Sequence, residues 1–376
     1  MNRIKPSIIA GIIAFIAIDI VSRGRSTPYN NYVLLAQAFA HGHVAIDWPG
    51  NYIDALGYHG LHYIIEAPLP ALLLLPFVAI FGTANQTLLA VVLGAIGIGA
   101  AWELGERFDV PRAHLAWIVA FLLAGTDLLW CAMLGDVWFI AHVSSVCFTM
   151  LALVELAGKR RGWLVALWAV CAFESRFSLV LAVPVYAYML ASRKQLMSFG
   201  AVIGVAALGW LGYNLARWGT WYDIGYTLWY HEDQAGMPFG SPFKLRYFAY
   251  ELWSFFVQAP QRLPSFPWLQ PSFSGVALTW TSPALILAFF ARGPARWVIP
   301  LWILTVLAAA PNFVYYVNGF AQFGMRHALD FEPFLVALML LAVREKMPRW
   351  SYVLIAYSIV AGVWGCWYWN AVVRPN

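Results

Sequence analysis

Apolar residues occupy this chain in long runs, broken by short polar or basic clusters, with little of the alternation that marks a half-buried strand. Such runs predict transmembrane helices. Eleven are expected: Ile8 to Val21, Thr87 to Trp102, His114 to Met133, Trp138 to Ala157, Trp163 to Phe173, Phe177 to Leu190, Leu196 to Ala216, Gly275 to Phe290, Trp297 to Asn312, Ala328 to Val343 and Trp350 to Trp369. The first follows a basic start as a signal peptide would, but no small-residue cleavage pattern comes after it, so it reads as an uncleaved span. The fifth and sixth are short and meet at Glu174 to Arg176, between the basic clusters GKRRG and SRKQ. One stretch is ambiguous. In HYIIEAPLPALLLLPFVAIFG, His62 to Gly82, the apolar part has only thirteen residues, Leu69 to Phe81, about 20 Å of helix against a hydrocarbon core of about 30 Å.

Charge resolves the ambiguity. If Leu69 to Phe81 does not cross, 14 of the 23 lysines and arginines lie inside; if it crosses, 9 do. The positive-inside rule favours the first arrangement, with a helix seated in the outer leaflet, entered at Pro68 and returning near Gly82. Composition agrees, since 62% hydrophobic and 11% charged residues cannot cover a soluble globule of 376 residues. The net charge of +5 sits in small clusters between apolar runs, which fits loops beside anionic lipid and excludes a nucleic-acid partner. Cys131, Cys147, Cys171 and Cys366 fall within apolar runs without CxxC spacing and read as packing residues. No internal repeat is visible, so residues 1–376 form one membrane domain. Its first external loop with juxtamembrane helices covers 22–86 and its large external loop 217–274, both longer than a connector requires. Twelve of the 18 acidic residues lie on or near the outer face. Function is expected there, although two large external loops would also collect polar residues without any function.

Within the first loop, TPYNNYVLLAQAFAHGHVAID predicts an amphipathic helix from Tyr29 to His41, with Leu34, Leu35, Ala38 and Phe39 on one side, lying along the interface. Asp47, Asp54 and Glu66 follow beside aromatic residues. A carboxylate at such a boundary can have a raised pKa and serve as a base; Asp47 and Asp54 equally suit turn caps. His41, His43, His59 and His62 show HxH and HxxH spacings, but interfacial loops use histidine as an amphipathic residue and no HExxH helix is present, so no metal site is expected. Asp127, inside the third span, is either functional or bonded to Thr126 or a neighbouring helix. Glu155 suits a helix-end pair with Lys159. Arg176, between two short spans, should face water or an anion, with Glu174 as a neutralising neighbour. Arg326, in QFGMRHALDFEP, has Asp330 four residues on as a mate. For both arginines, phosphate binding competes with local ion pairing.

This arrangement resembles the GT-C glycosyltransferases, the superfamily of aminoarabinose transferases and protein O-mannosyltransferases. The local matches are YVLLAQAFAHGHVAI, the YxxxxPxPALLLLPFxxxFG run from Tyr63, GDVWFIAHV at Gly135, WGTWYDIGY at Trp218, TSPALILA at Thr281 and FGMRHALDFEPFL at Phe323. The resemblance implies an all-α polytopic membrane fold and transfer of a sugar from a polyprenyl phosphate to an acceptor hydroxyl on the periplasmic face of a bacterial inner membrane. The acceptor would be an envelope glycan, lipid or protein. The superfamily commonly carries an acid at the start of its first juxtamembrane helix, where this chain reads ProTyrAsnAsn at Pro28 to Asn31. The base must then come from elsewhere. Asp54 is the first choice and Asp19, in the last turn of the first span, the second. Candidates for substrate binding are Arg176, Arg326, Arg23, Arg25, Glu66, Tyr63, Asp223, Tyr226 and Arg246. No cofactor is fixed by the sequence, and a divalent cation assisting the phosphate stays open. The rival readings are a lipid or lipid-linked sugar flippase, which would predict repeated halves and midplane charges, and a non-catalytic assembly protein.

Overall fold

The computed structural model describes residues 4–50, 52–232 and 239–375; Arg3, one of the 14 lysines and arginines expected inside, lies outside them. Its helices are α1 (Pro6–Ser22), α2 (Asn31–Ala40), α3 (Leu69–Phe81), α4 (Gln86–Arg107), α5 (Arg112–Ala124), α6 (Leu128–Leu134), α7 (Val137–Ala157) and α8 (Gly162–Phe173). They continue as α9 (Val183–Tyr188), α10 (Arg193–Trp218), α11 (Gly225–Glu232), α12 (Phe248–Phe256), α13 (Leu278–Thr281), α14 (Ala295–Phe313), α15 (Glu332–Ala342) and α16 (Arg349–Tyr368). Two small antiparallel ribbons, β1 (Leu56–Tyr58) with β2 (Leu61–Tyr63) and β3 (Gln261–Arg262) with β4 (Leu269–Gln270), sit in the two long loops.

Among the described residues, five helices are long and apolar enough to cross a membrane: α4, α7, α10, α14 and α16 with its continuation to Val373. The pair α5 and α6, bent by 48°, makes a sixth if it counts as one broken span. The other expected spans take shorter forms. Phe177 to Leu190 divides into a 3-10 helix, Phe177–Ala182, and α9; Gly275 to Phe290 becomes α13 and the 3-10 helix Pro283–Phe290. A 3-10 helix rises about 2.0 Å per residue rather than 1.5 Å, so these short segments reach further than their length suggests. The helices pack closely through small residues, as membrane bundles do. A Cβ on Gly97 of α4 would lie 3.3 Å from Cys147 Cα of α7, and one on Gly99 2.9 Å from Ser7 O of α1. Of the long helices, α7 is the most buried and α10 the least.

Contacts sort the chain into two ends. At the basic end, Ser7 Oγ donates to Glu103 (3.4 Å), Arg107 Nη1 to Val154 O (2.5 Å) and Arg344 Nη2 to Asp109 (2.9 Å), while His114 Nδ1 bonds Val343 O (2.8 Å). At the other end, buried Gln86 joins three segments: its Nε2 donates to Tyr29 O (3.1 Å) and Gly135 O (2.7 Å), and its Oε1 accepts from Tyr32 N (3.1 Å). Both ends of α3 are tied here. Leu69 N donates to Glu174 O (3.0 Å), Gly82 O accepts from Gln37 Nε2 (2.8 Å), and Gly82 lies four residues before Gln86. Both ends of the Pro-bounded helix are therefore held by segments at the same end of the bundle. The amphipathic helix is α2, whose buried face is wider than expected because Asn31, Tyr32, Val33 and Ala36 turn inward with Leu35 and Ala38.

Candidate functional site

A cavity of about 810 Å³ opens among the long loops, the first turns of α7, the turn after α8, and α11. Six of the residues singled out from the sequence line it: Asp54, Glu66, Arg176, Asp223, Tyr226 and Arg326. The others lie elsewhere. Asp19 belongs to α1 and accepts from Ser22 Oγ through its carbonyl (2.8 Å). Arg23 is exposed at the left-handed C-cap of α1. Arg25 donates to Arg374 O (3.2 Å), Tyr63 packs on Trp218 with ring centroids 5.1 Å apart, and Arg246 lies 4.0 Å over the Phe239 ring. Asp47 lines a separate cavity of about 550 Å³ between α2 and α3, with His41 and His43. Among the described residues no group of three or more His, Cys, Asp or Glu side chains is placed to hold a metal ion.

Asp330 organises the inner wall. Its carboxylate, with no exposure, accepts from Arg176 Nε (3.1 Å) and Nη2 (3.1 Å), Ser178 Oγ (2.8 Å) and Asn312 Nδ2 (3.1 Å), and bonds His142 Nδ1 (2.9 Å). Burial alone would lower the Arg176 pKa, but the Asp330 charge more than offsets it, so the guanidinium stays protonated. This corrects two expected pairings. Arg176 is matched by Asp330 and not by Glu174, whose carboxyl is pushed up to about 7, chiefly by burial. Arg326 does not pair with Asp330, because residues 326–330 form a 3-10 helix, in which i and i+3 align and i+4 does not. Arg326 Nη1 donates to Gln322 Oε1 (2.7 Å) and Phe320 O (3.3 Å), its Nε has no partner, and it makes no salt bridge among the described residues. A buried guanidinium without a carboxylate is a ready anion site.

The carboxylates Asp54 and Glu66 also border the cavity. Asp54 Oδ2 accepts from Trp138 Nε1 (3.1 Å), and its carbonyl accepts from Asn31 Nδ2 (2.8 Å), which holds it against the start of α2. Glu66 follows the β1–β2 hairpin, just before α3 is pinned to the turn after α8. Burial pushes its carboxyl up to about 7, with the charge on Asp54 acting in the same direction. Its Oε2 is buried and without a hydrogen-bond partner among the described residues. Asp223 is committed to Arg217 (3.0 Å) and to Gly225 N (2.6 Å). Arg217 in turn donates to Asn214 Oδ1 (2.9 Å) and Ile64 O (3.3 Å), clasping α10 to the first loop. Tyr226 stands edge-on to Tyr315, with centroids 6.2 Å apart.

Sequence reasoning missed His142, Asn312 and Ser178 on Asp330, and Arg374, which pairs with Asp136 (2.7 Å) while lining the cavity. Asp136 and His142 do stand in GDVWFIAHV, the motif at Gly135. Asn312 carries no local signal. Two further local pairings change. Glu155 bonds Arg161 (2.8 Å), because α7 stops at Ala157 and Lys159 is off the helix. Asp127 sits at the break between α5 and α6, and neither carboxylate oxygen has a hydrogen-bond partner among the described residues.

Fold and site together define a multi-pass membrane protein with an arginine-lined cavity at one end of its helix bundle. Its fold is that of the GT-C aminoarabinose transferase ArnT. The crystal structure of ArnT from Cupriavidus metallidurans bound to undecaprenyl phosphate matches with a TM-score of 0.58 and 17% identity, over 98% of this chain and 65% of that one. The chain thus spans about two thirds of that protein's length, and the likeness is one of fold. No protein-family model and no curated protein sequence matches the chain.

Proposed function

We propose that this chain is a GT-C type glycosyltransferase that moves a sugar from a polyprenyl phosphate to an acceptor hydroxyl, at the outer, periplasmic face of a bacterial inner membrane. The observation that carries this reading is one cavity holding an arginine without a carboxylate partner, Arg326, a second arginine fixed by Asp330, and two carboxylates, Asp54 and Glu66. The ArnT crystal structure holds undecaprenyl phosphate, and a carrier of that class suits these cations. In the reaction the acceptor oxygen attacks the anomeric carbon and the bond from that carbon to the phosphate oxygen breaks. The electron pair leaves with polyprenyl phosphate, and the hydroxyl proton passes to a carboxylate. Arg326 and Arg176 meet the growing negative charge. Asp54 is the base: it lies beside Asn31, at the helix start where the resembled superfamily commonly carries its acid, and the Trp138 indole aims its carboxylate. Glu66, neutral below about pH 7, binds the sugar without adding charge.

Purified protein incubated with polyprenyl phosphate sugars and a panel of envelope acceptors should release free carrier; its absence with every donor would reject the reading. For the side of the membrane, a cysteine at Asn85 in intact cells should react with an impermeant thiol reagent and one at Lys159 should not. The reverse labelling would place the cavity inside.

A further inference from the structure

On α7, Trp138 and His142 are four residues apart and share a face, about 6 Å along the axis. Trp138 holds Asp54, while His142, one turn deeper, holds Asp330 beside Arg176. Asp330 is an acceptor with its lone pairs taken, so the His142 Nδ1 must be the donor in that bond. In a neutral imidazole this leaves Nε2 with a lone pair. Nε2 is buried and has no partner among the described residues, and His142 is among the residues that line the cavity. The groups facing this ring are Asp330, Arg176, Arg326 and His327, whose ring centroid is 5.4 Å away.

Resting on the function proposed above, we propose that His142 is a positioning and specificity residue whose Nε2 accepts a hydrogen bond from a ring hydroxyl of the donor sugar, beside the carbon under attack. A phosphodiester has no proton to give, so the phosphate held by Arg176 and Arg326 cannot satisfy this lone pair. A hydroxyl can. The anomeric carbon is bonded to a phosphate oxygen, so the hydroxyl on the adjacent ring carbon arrives at the same depth as these arginines. Donors carrying a free hydroxyl there are the substrate class; 2-deoxy sugars leave a buried acceptor unpaired and are rejected.

The test compares kcat/KM for polyprenyl phosphate sugars and their 2-deoxy counterparts, with binding of sugar-free polyprenyl phosphate measured alongside. Wild type should favour the hydroxylated donor on the order of tenfold to a hundredfold. His142→Asn keeps a donor towards Asp330 but lacks the Nε2 acceptor, so it should lose that preference while binding polyprenyl phosphate normally. His142→Gln, which can place an amide oxygen at the Nε2 position, should keep part of the preference. Equal use of both donors by wild type would overturn the proposal, as would a preference that survives in His142→Asn. Tighter binding of polyprenyl phosphate to wild type at low pH, lost in His142→Asn, would show a doubly protonated ring that donates to phosphate instead. If the acceptor's hydroxyl were the partner, both donors would suffer equally in His142→Asn. Failure of wild type to transfer from any donor would reject the glycosyltransferase reading itself.

Discussion

The two ends of the bundle use ion pairs differently. At the basic end the pairs among the described residues are mostly local and each keeps a solvent-accessible arginine: Arg107 with half-exposed Glu103, Arg161 with buried Glu155, and Arg344 with Asp109, whose side chains in the last pair are 40% and 76% exposed. At the cavity end each pair has a member with no exposure, and two of them join distant parts of the chain: Arg176 with Asp330, 154 residues apart, and Arg374 with Asp136, 238 apart. Exposed pairs contribute little to stability, whereas losing one member of a buried pair strands a charge in a medium that does not solvate it. The cavity end is thus built with costly interactions where cheap ones would close a loop. Its charges hold geometry there.

The largest effect is expected from Asp330→Ala, which strands Arg176, frees His142 and unties Asn312. A loss of about 3–5 kcal/mol is predicted, seen as a lowered unfolding midpoint in detergent, together with loss of transfer. A stable, active variant would break the contrast between the ends. Arg326→Ala comes next. Arg326 makes no salt bridge among the described residues, so the protein should stay folded while transfer falls on the order of a hundredfold to a thousandfold, and Arg326→Lys should recover part of it, restoring the charge without the planar fork. Unchanged binding of polyprenyl phosphate in the alanine variant would move the anion site elsewhere.

A smaller effect follows from Glu66. Its carboxyl value is raised to about 7, so it is neutral below that pH and charged above it. Ionisation adds a second negative charge beside Asp54, and the anionic donor should bind roughly twofold to tenfold more weakly as pH rises through about 7. Glu66→Gln should flatten this limb in a titration of KM against pH. The same limb in the glutamine variant would assign it to another group.

How much of this contrast is legible in the sequence depends on the distance between partners. The basic end, the short helix Leu69–Phe81 and the helices α4, α7 and α10 follow from run length and charge, which are local properties. So do Arg176 and Arg326, as charges that need a reason to be near lipid. Their partners do not follow. Arg176 finds an aspartate 154 residues away, and no local rule names it. Arg326 and Asp330 have helical spacing, but the segment winds as a 3-10 helix and turns them apart. Asp19 and Asp54 look alike as acids beside aromatic or apolar residues; only the Trp138 and Asn31 contacts bring Asp54 to the cavity. The division of an expected span into α13 and a 3-10 helix likewise depends on packing against α15 and α16, which apolar run length does not report.

On the function proposed above, catalysis resides at the cavity end with Asp54 as base. The same chemical change made at both ends, Asp54→Asn and Asp109→Asn, separates the two ends when single-turnover transfer from a polyprenyl phosphate sugar is measured. Asparagine keeps the shape and the turn bonding of each aspartate but takes no proton at neutral pH. Asp54→Asn should bind the donor and transfer about a hundredfold to ten-thousandfold more slowly, while Asp109→Asn matches wild type. Normal transfer by Asp54→Asn would rule Asp54 out as the base.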